Sequence, residues 1–193
     1  MLKTYTLNLT GRDAGTALRL TELPALVADR AARAALRAVG ESEDGGVITL
    51  VFKHLKQVRD LGERGLRLLS PFVDARLPDG TALDLGATGA HGVRDWRNIE
   101  KIQQQALYLH TGFIIERESV DIPVAMVGDH ILHGSTEARV TFCSPLLAAV
   151  LESKLATYHE LETVLSTEDC FNLQEVNNVR AIRNWHESQK APP

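Results

Sequence analysis

Cysteine is nearly absent from this chain: Cys143 and Cys170 are the only two, 27 positions apart. That excludes a disulfide scaffold and leaves one disulfide or two reduced, partly buried thiols. Aromatic residues are few, with two Trp, three Tyr and five Phe, so the core must rest on Leu, Val, Ile and Ala. Positive charge has no excess: 21 Lys and Arg face 25 Asp and Glu, for a net charge of -4. Nothing in that balance favours nucleic acid. No run approaches the roughly 20 apolar residues of a membrane helix. Met1-Leu2-Lys3 leads into alternating threonines and not an apolar run, so no secretory leader is expected. A chain of 193 residues, 44% hydrophobic and 24% charged, suits a soluble protein of one large domain or two small ones.

Motifs for chemistry are missing too. There is no G-x-S-x-G, no H-E-x-x-H and no P-loop. Gly86, Gly89 and Gly92 have the wrong spacing for a dinucleotide loop and lack a strand–turn–helix setting. His130-x-x-His133, with only Asp129 beside it, falls short of the three or four ligands a metal needs. His54, His91, His110, His159 and His186 are scattered. Cys143 beside Ser144 has no base in sight. Glu160, Glu162, Glu168 and Asp169 read more economically as charges at helix N-termini than as a cation site. No catalytic residue, cofactor or metal is expected, and the expectation is a protein that is not an enzyme.

What is present is secondary-structure pattern. Lys3 to Thr10 alternates, with Tyr5, Leu7 and Leu9 on one side, and Ala17 to Leu23 can return as the second strand of a hairpin. Pro24 opens an Ala-rich helix that ends at Gly40 and carries Arg30, Arg33 and Arg37 at helical spacing. That stripe reads as a solvated face or as a docking stripe for an acidic partner. A second helix is expected over Val47 to Leu61, and a third from Leu66 to Val73, bent or broken by Pro71. Residues 77 to 92 read as a loop with a short strand near Ala82 to Leu85. Trp96, Ile99, Ile102, Ala106, Leu109 and Phe113 then step by three and four, predicting a core helix that Gly112 can cap. Residues 116 to 136, with Pro123, Gly128 and Gly134, have no helical period and read as a linker. A short strand over Arg139 to Phe142 could follow.

The last third carries three helix starts. Ser144-Pro145 offers a cap and an N1 proline, Thr157 and Glu160 form a capping box, and Ser166 precedes Thr167-Glu168-Asp169. From there Phe171, Leu173, Val176, Val179 and Ile182 lie among polar residues, an amphipathic helix. The reading is α+β, mainly α: an N-terminal β-hairpin followed by a helical bundle over residues 1–118, plus a small all-α C-terminal unit over 119–193. The second unit carries five Lys and Arg against ten Asp and Glu.

These features resemble the tail assembly chaperones of long-tailed bacteriophages, over most of the chain. The resemblance rests on KTYTLNLTGRDAGTALRLTELPA with the helix ending RAALRAVG, on LLSPFVDARLPDG followed by DWRNIEKIQQQALYLHTGF, and most specifically on the C-terminal VTFCSPLLAAVLESKLATYHELETVLSTEDCFNLQEVNNVRAIRNW. The family's last helix is usually more aliphatic and acidic than this one, with its Gln174, Asn177 and Asn178. The resemblance implies a chaperone that coats the tape measure protein in the host cytoplasm, recruits tail tube subunits and is absent from the finished virion. It also implies that some relatives gain the C-terminal unit by a frameshift, which here would join near Ser119. Arg30, Arg33 and Arg37, or the apolar edge from Trp96 to Phe113, would meet the tape measure protein. Phe171, Val176 and Ile182 on the last helix would dock the tube protein. Self-association is expected, because the hairpin edge and the helix faces lack other partners; no nucleic acid or membrane is expected. The alternative is a structural tail-completion or head–tail joining protein, which would remain in the particle.

Overall fold

The computed structural model describes residues 2–72, 74–83, 93–115, 117–118 and 140–190. The N-terminal alternation forms the hairpin, β1 (Thr4–Asn8) against β2 (Ala17–Thr21). Its antiparallel register sets Tyr5 opposite Leu20 and Leu7 opposite Leu18. Leu18 and Leu20 are fully buried, as is nearly all of Leu9, while Tyr5 remains 43% exposed on the edge strand. A third strand, β3 (Asp74–Arg76), pairs antiparallel with the other edge of β2, setting Leu20 opposite Ala75. The sequence reading missed it, because three residues with one alanine between two charges show no period. Ala82 makes a single bridge to Arg76, and residues 84 and 85 of the expected short strand lie outside the described residues.

Helix α1 (Ala25–Ala38) is the spine. Its alanines expose little side chain and allow close packing, so Ala28, Ala32 and Ala35 vanish from the surface together with Leu36. They join Leu18, Leu20, Leu50, Val58, Phe72 and Ile102 in the main core. The helix expected over Val47 to Leu61 forms as three abutting pieces. Helix α2 (Gly46–Thr49) and helix α3 (Leu55–Asp60) are joined by a wider π turn at Leu50–His54. A π turn inserts a residue into the helical period. Helix α4 (Glu63–Leu69) then tightens into a 3-10 turn at Ser70–Phe72, where Pro71 ends the helix.

Helix α5 (Trp96–Thr111) starts at Asp95, whose side chain accepts a hydrogen bond from the Arg97 N–H. The expected inward face needs correcting: Trp96 is 67% exposed, and the buried face is centred on Asn98, Ile102, Ala106 and His110. Gly112 does not act as a left-handed cap, since its φ is -59° and a 3-10 turn over Gly112–Ile114 extends the helix.

The C-terminal helices are α6 (Pro145–Glu152), α7 (Tyr158–Thr163) and α8 (Thr167–Lys190). Val140 to Phe142 is irregular and not the expected strand; Arg139 is outside the described residues. The capping box of Thr157 and Glu160 is complete. Ser166 and Asp169 form a second, with the Asp169 N–H donating to Ser166 Oγ at 3.1 Å and the Ser166 N–H donating to Asp169 Oδ2 at 3.0 Å. Ser144 departs from its expected role: its side chain makes no capping bond to α6, and its N–H donates to Asp29 Oδ2 at 3.1 Å. These helices gather Leu147, Val150, Leu161, Cys143 and Cys170 into a second cluster, completed by Ala25 and Leu26 of α1. One helix therefore serves two cores.

Candidate functional site

The arginine stripe on α1 is engaged within the molecule. Arg30 donates to Glu162 Oε1 at 2.9 Å and to the Tyr158 hydroxyl, with its guanidinium over the Tyr158 ring. Arg33 donates to the Thr141 carbonyl at 2.7 Å and pairs with Glu43 at 3.1 Å. Arg37 forks onto both Glu43 oxygens at 2.7 and 2.8 Å. The Arg37 hydrogen bonds hold the Glu43 carboxyl below the usual range despite some desolvation. The stripe thus stitches α1 to α7 and to the loop before α2.

The expected apolar edge of α5 divides into two places. Trp96 and Phe113 are separated by roughly 25 Å of helix at 1.5 Å per residue. At the far end, Phe113 meets Phe171 edge-on at 5.3 Å, under the Lys3 ammonium, and Arg117 covers the Phe171 ring. Phe171 also lines a cavity of about 230 Å³ beside Asp29, Ser144 and Thr167. At the near end, Trp96 stands on the rim of a groove of about 430 Å³ between α4 and α5. Leu66, Leu69 and Ile99 supply its apolar walls, and Arg59, Glu63, Glu100 and Gln103 its polar side chains.

Helix α8 is buried at its root, at Thr167 and Cys170, and Leu173 packs half-buried against the second cluster. Beyond that, Arg117 holds Asn172 at 2.8 Å and also binds Glu175. Val176 is 67% exposed, and Ile182 is half-buried one helical step beyond Val179. Three of the four C-terminal acids that invited a cation reading are accounted for singly: Glu160 in its capping box, Glu162 on Arg30 and Glu168 on Lys3. Asp169 caps its own helix. Among the described residues no group of three or more His, Cys, Asp and Glu could hold a metal, and no helix is long and apolar enough to cross a membrane. His130, His133 and the Gly86-to-Gly92 loop lie outside the described residues.

Three buried polar knots escaped sequence reasoning. Asp13, in the hairpin loop, accepts from the N–H groups of Arg94 and Asp95 at 2.9 and 3.0 Å and from Asn98 Nδ2 at 2.8 Å. Burial alone would raise its pKa, but these donors outweigh it and hold the carboxyl low. Asp29 binds Ser144, and burial pushes its carboxyl up. Glu22 and His110 face one another with both side chains fully buried. Burial pushes the Glu22 carboxyl up to about 7 and the His110 imidazole down to about 4. A signal for two of these residues was in the sequence: Asn98 and His110 continue the four-residue step of Ile102 and Ala106.

No family model, no curated protein and no solved structure matches the chain.

Proposed function

We propose that this protein is a tail assembly chaperone of a long-tailed bacteriophage. It coats the tape measure protein in the host cytoplasm, recruits tail tube subunits and leaves before the virion is complete. One observation supports the reading beyond the sequence resemblance: the first turns of α8 are held by Thr167, Cys170, Phe171 and Leu173 and by Arg117, while Val176 on its apolar stripe is 67% exposed. An amphipathic helix that leaves part of its apolar stripe uncovered, here at Val176, is suited to docking in a partner's groove. The intramolecular pairing of Arg30, Arg33 and Arg37 shifts the weight for tape measure contact from that stripe to the exposed Trp96 end of α5.

The test is co-expression with the tape measure protein of the same phage. The tape measure protein is expected to stay soluble only when this chain is present, and the chain is expected to be missing from purified particles. Insoluble tape measure protein in both cases would overturn the proposal. Recovery of this chain from particles would favour the structural tail-completion or joining role instead.

A further inference from the structure

The two edges of the sheet differ. At one edge, β3 carries Asp74 and Arg76, joined at 2.8 Å, on either side of Ala75. The chain then turns back along it: Arg76 bridges to Ala82, and the Leu83 N–H donates to the Ala75 carbonyl at 2.9 Å. Edge charges and a covering segment are ordinary means by which sheets avoid pairing with other strands. The β1 edge has neither among the described residues. Its Thr-Tyr-Thr-Leu-Asn holds no charge and no proline, and its register against β2 runs without a bulge. The Lys3 carbonyl accepts from the Glu22 N–H, and the Leu9 N–H donates to the Thr16 carbonyl. Those bonds set the ladder. Tyr5 and Leu7 turn their main-chain groups to β2, and Thr4, Thr6 and Asn8 turn theirs outward. No described residue is bonded to these outward groups.

The edge also complements itself. An antiparallel pairing about a two-fold axis at Thr6 sets Thr6 opposite Thr6 of a second copy, and Thr4 opposite Asn8 of that copy. Every outward N–H and C=O of β1 then has a partner. On the solvent face only Thr and Asn side chains meet. On the core face Tyr5, 43% exposed, comes opposite the half-buried Leu7 of the other copy, at the closer spacing of non-hydrogen-bonded pairs. No like charges meet, since Lys3 comes opposite Leu9. We propose that β1 is a dimer interface, through which two copies of this chain join their three-stranded sheets into one continuous sheet. Such a self-matching surface is what a closed two-fold dimer requires. The inference does not rest on the tail-assembly reading.

Thr6 is exposed, and its side chain bonds to no described residue, so its replacement leaves the single chain folded. The full chain is followed by sedimentation equilibrium over a concentration series. The native chain is expected to approach twice the chain mass as concentration rises. Thr6→Lys and Thr6→Glu each set like charges against one another at the axis and are expected to weaken the dimer about tenfold. An equimolar mixture of the two variants is expected to recover the native affinity, because opposite charges then meet. Thr6→Pro removes an outward N–H and spares the β2 ladder, so it is expected to be monomeric with an unchanged circular dichroism spectrum. A native chain that stays monomeric throughout overturns the proposal and leaves the edge to a strand of another protein. Association that persists in Thr6→Pro, or a mixture of the charge variants no tighter than either alone, also overturns it.

Discussion

Glu22 Oε1 and His110 Nδ1 lie 3.9 Å apart, both fully buried and neither with another hydrogen-bond partner. The rest of each group is held. Glu22 Oε2 accepts from the Lys3 N–H at 3.1 Å, and His110 Nε2 lies 2.8 Å from the Phe72 carbonyl. That carbonyl can only accept, and at 2.8 Å it outweighs the Leu23 N–H 3.4 Å from the same nitrogen, so Nε2 carries the proton and Nδ1 faces the carboxyl as an acceptor. A protonated Glu22 beside a neutral His110 is the arrangement burial favours.

The two groups oppose each other in their pH dependence. Burial raises Glu22 from 4.5 to about 7, so its contribution is fully present below pH 4.5 and is lost as pH rises through about 7. Burial lowers His110 from 6.5 to about 4, so its contribution is fully present above pH 6.5 and is lost as pH falls through about 4. Between these limits the slopes nearly cancel. Urea melts across this range are expected to show little change from this pair in the native chain. Glu22→Gln should unmask stability that rises with pH between about 4 and 6.5, and His110→Gln stability that falls between about 4.5 and 7.

The Asp13 knot ties the hairpin loop to the start of α5, and Asn98 sits at its centre, donating to both Asp13 Oδ2 and the Thr10 carbonyl at 2.8 Å. Asp13→Ala strands three donors and is expected to cost about 2–3 kcal/mol; Asn98→Ala should cost a similar amount. The double variant should lose clearly less than the sum, because the two residues share one network. Because the folded pKa of Asp13 lies below 3.8, its contribution is present above that value and disappears as pH falls through the folded value. Denaturant melts of the three variants, read against the native chain, check both points.

Gly46 and Gly40 separate backbone strain from crowding. Both have positive φ, +52° and +76°. A Cβ at Gly40 meets nothing within 4 Å, so Gly40→Ala should cost about 1 kcal/mol of backbone strain alone. A Cβ at Gly46 would stand 2.3 Å from Asp29 Oδ1 and displace the carboxylate that holds the Ser144 N–H. Gly46→Ala is expected to cost about 2 kcal/mol more than Gly40→Ala by thermal or urea melting.

Cys143 and Cys170 are free and buried in the same cluster. Burial pushes their thiols up to about 11 and about 12. Since only the thiolate reacts, neither should be modified by a thiol reagent at pH 8 in the folded protein. Both should react promptly in denaturant, so the rate of labelling reads the opening of this cluster.

Strong local signals were legible in the sequence. The hairpin, α1, the Thr157–Glu160 capping box and the Ser166 cap follow from alternation, from alanine and proline placement, and from Ser, Thr and acid spacing that chemistry dictates within a few residues. What was not legible depends on tertiary context. Trp96 fits the apolar period of α5, yet the hairpin loop covers that first turn at Asn98 and not at Trp96, which stands exposed. His110 looked like one scattered histidine until β2 and the Phe72 turn enclosed it. Arg30, Arg33 and Arg37 looked free because Glu43 and Glu162 are brought to them only by folding. The α4–α5 groove had no trace in the sequence, since half its lining comes from a different helix.

The sharing of α1 between two clusters also fixes how load would travel. A pull on α8 is resisted by Arg117 at Glu175 and Asn172 and then at the root by Cys170, which packs with Ala25 and Leu26. Three residues further along the same rigid helix, Ala28 is locked in the main core. Tension on the projecting arm would thus reach the centre of the molecule through a single stiff rod, without crossing a hinge.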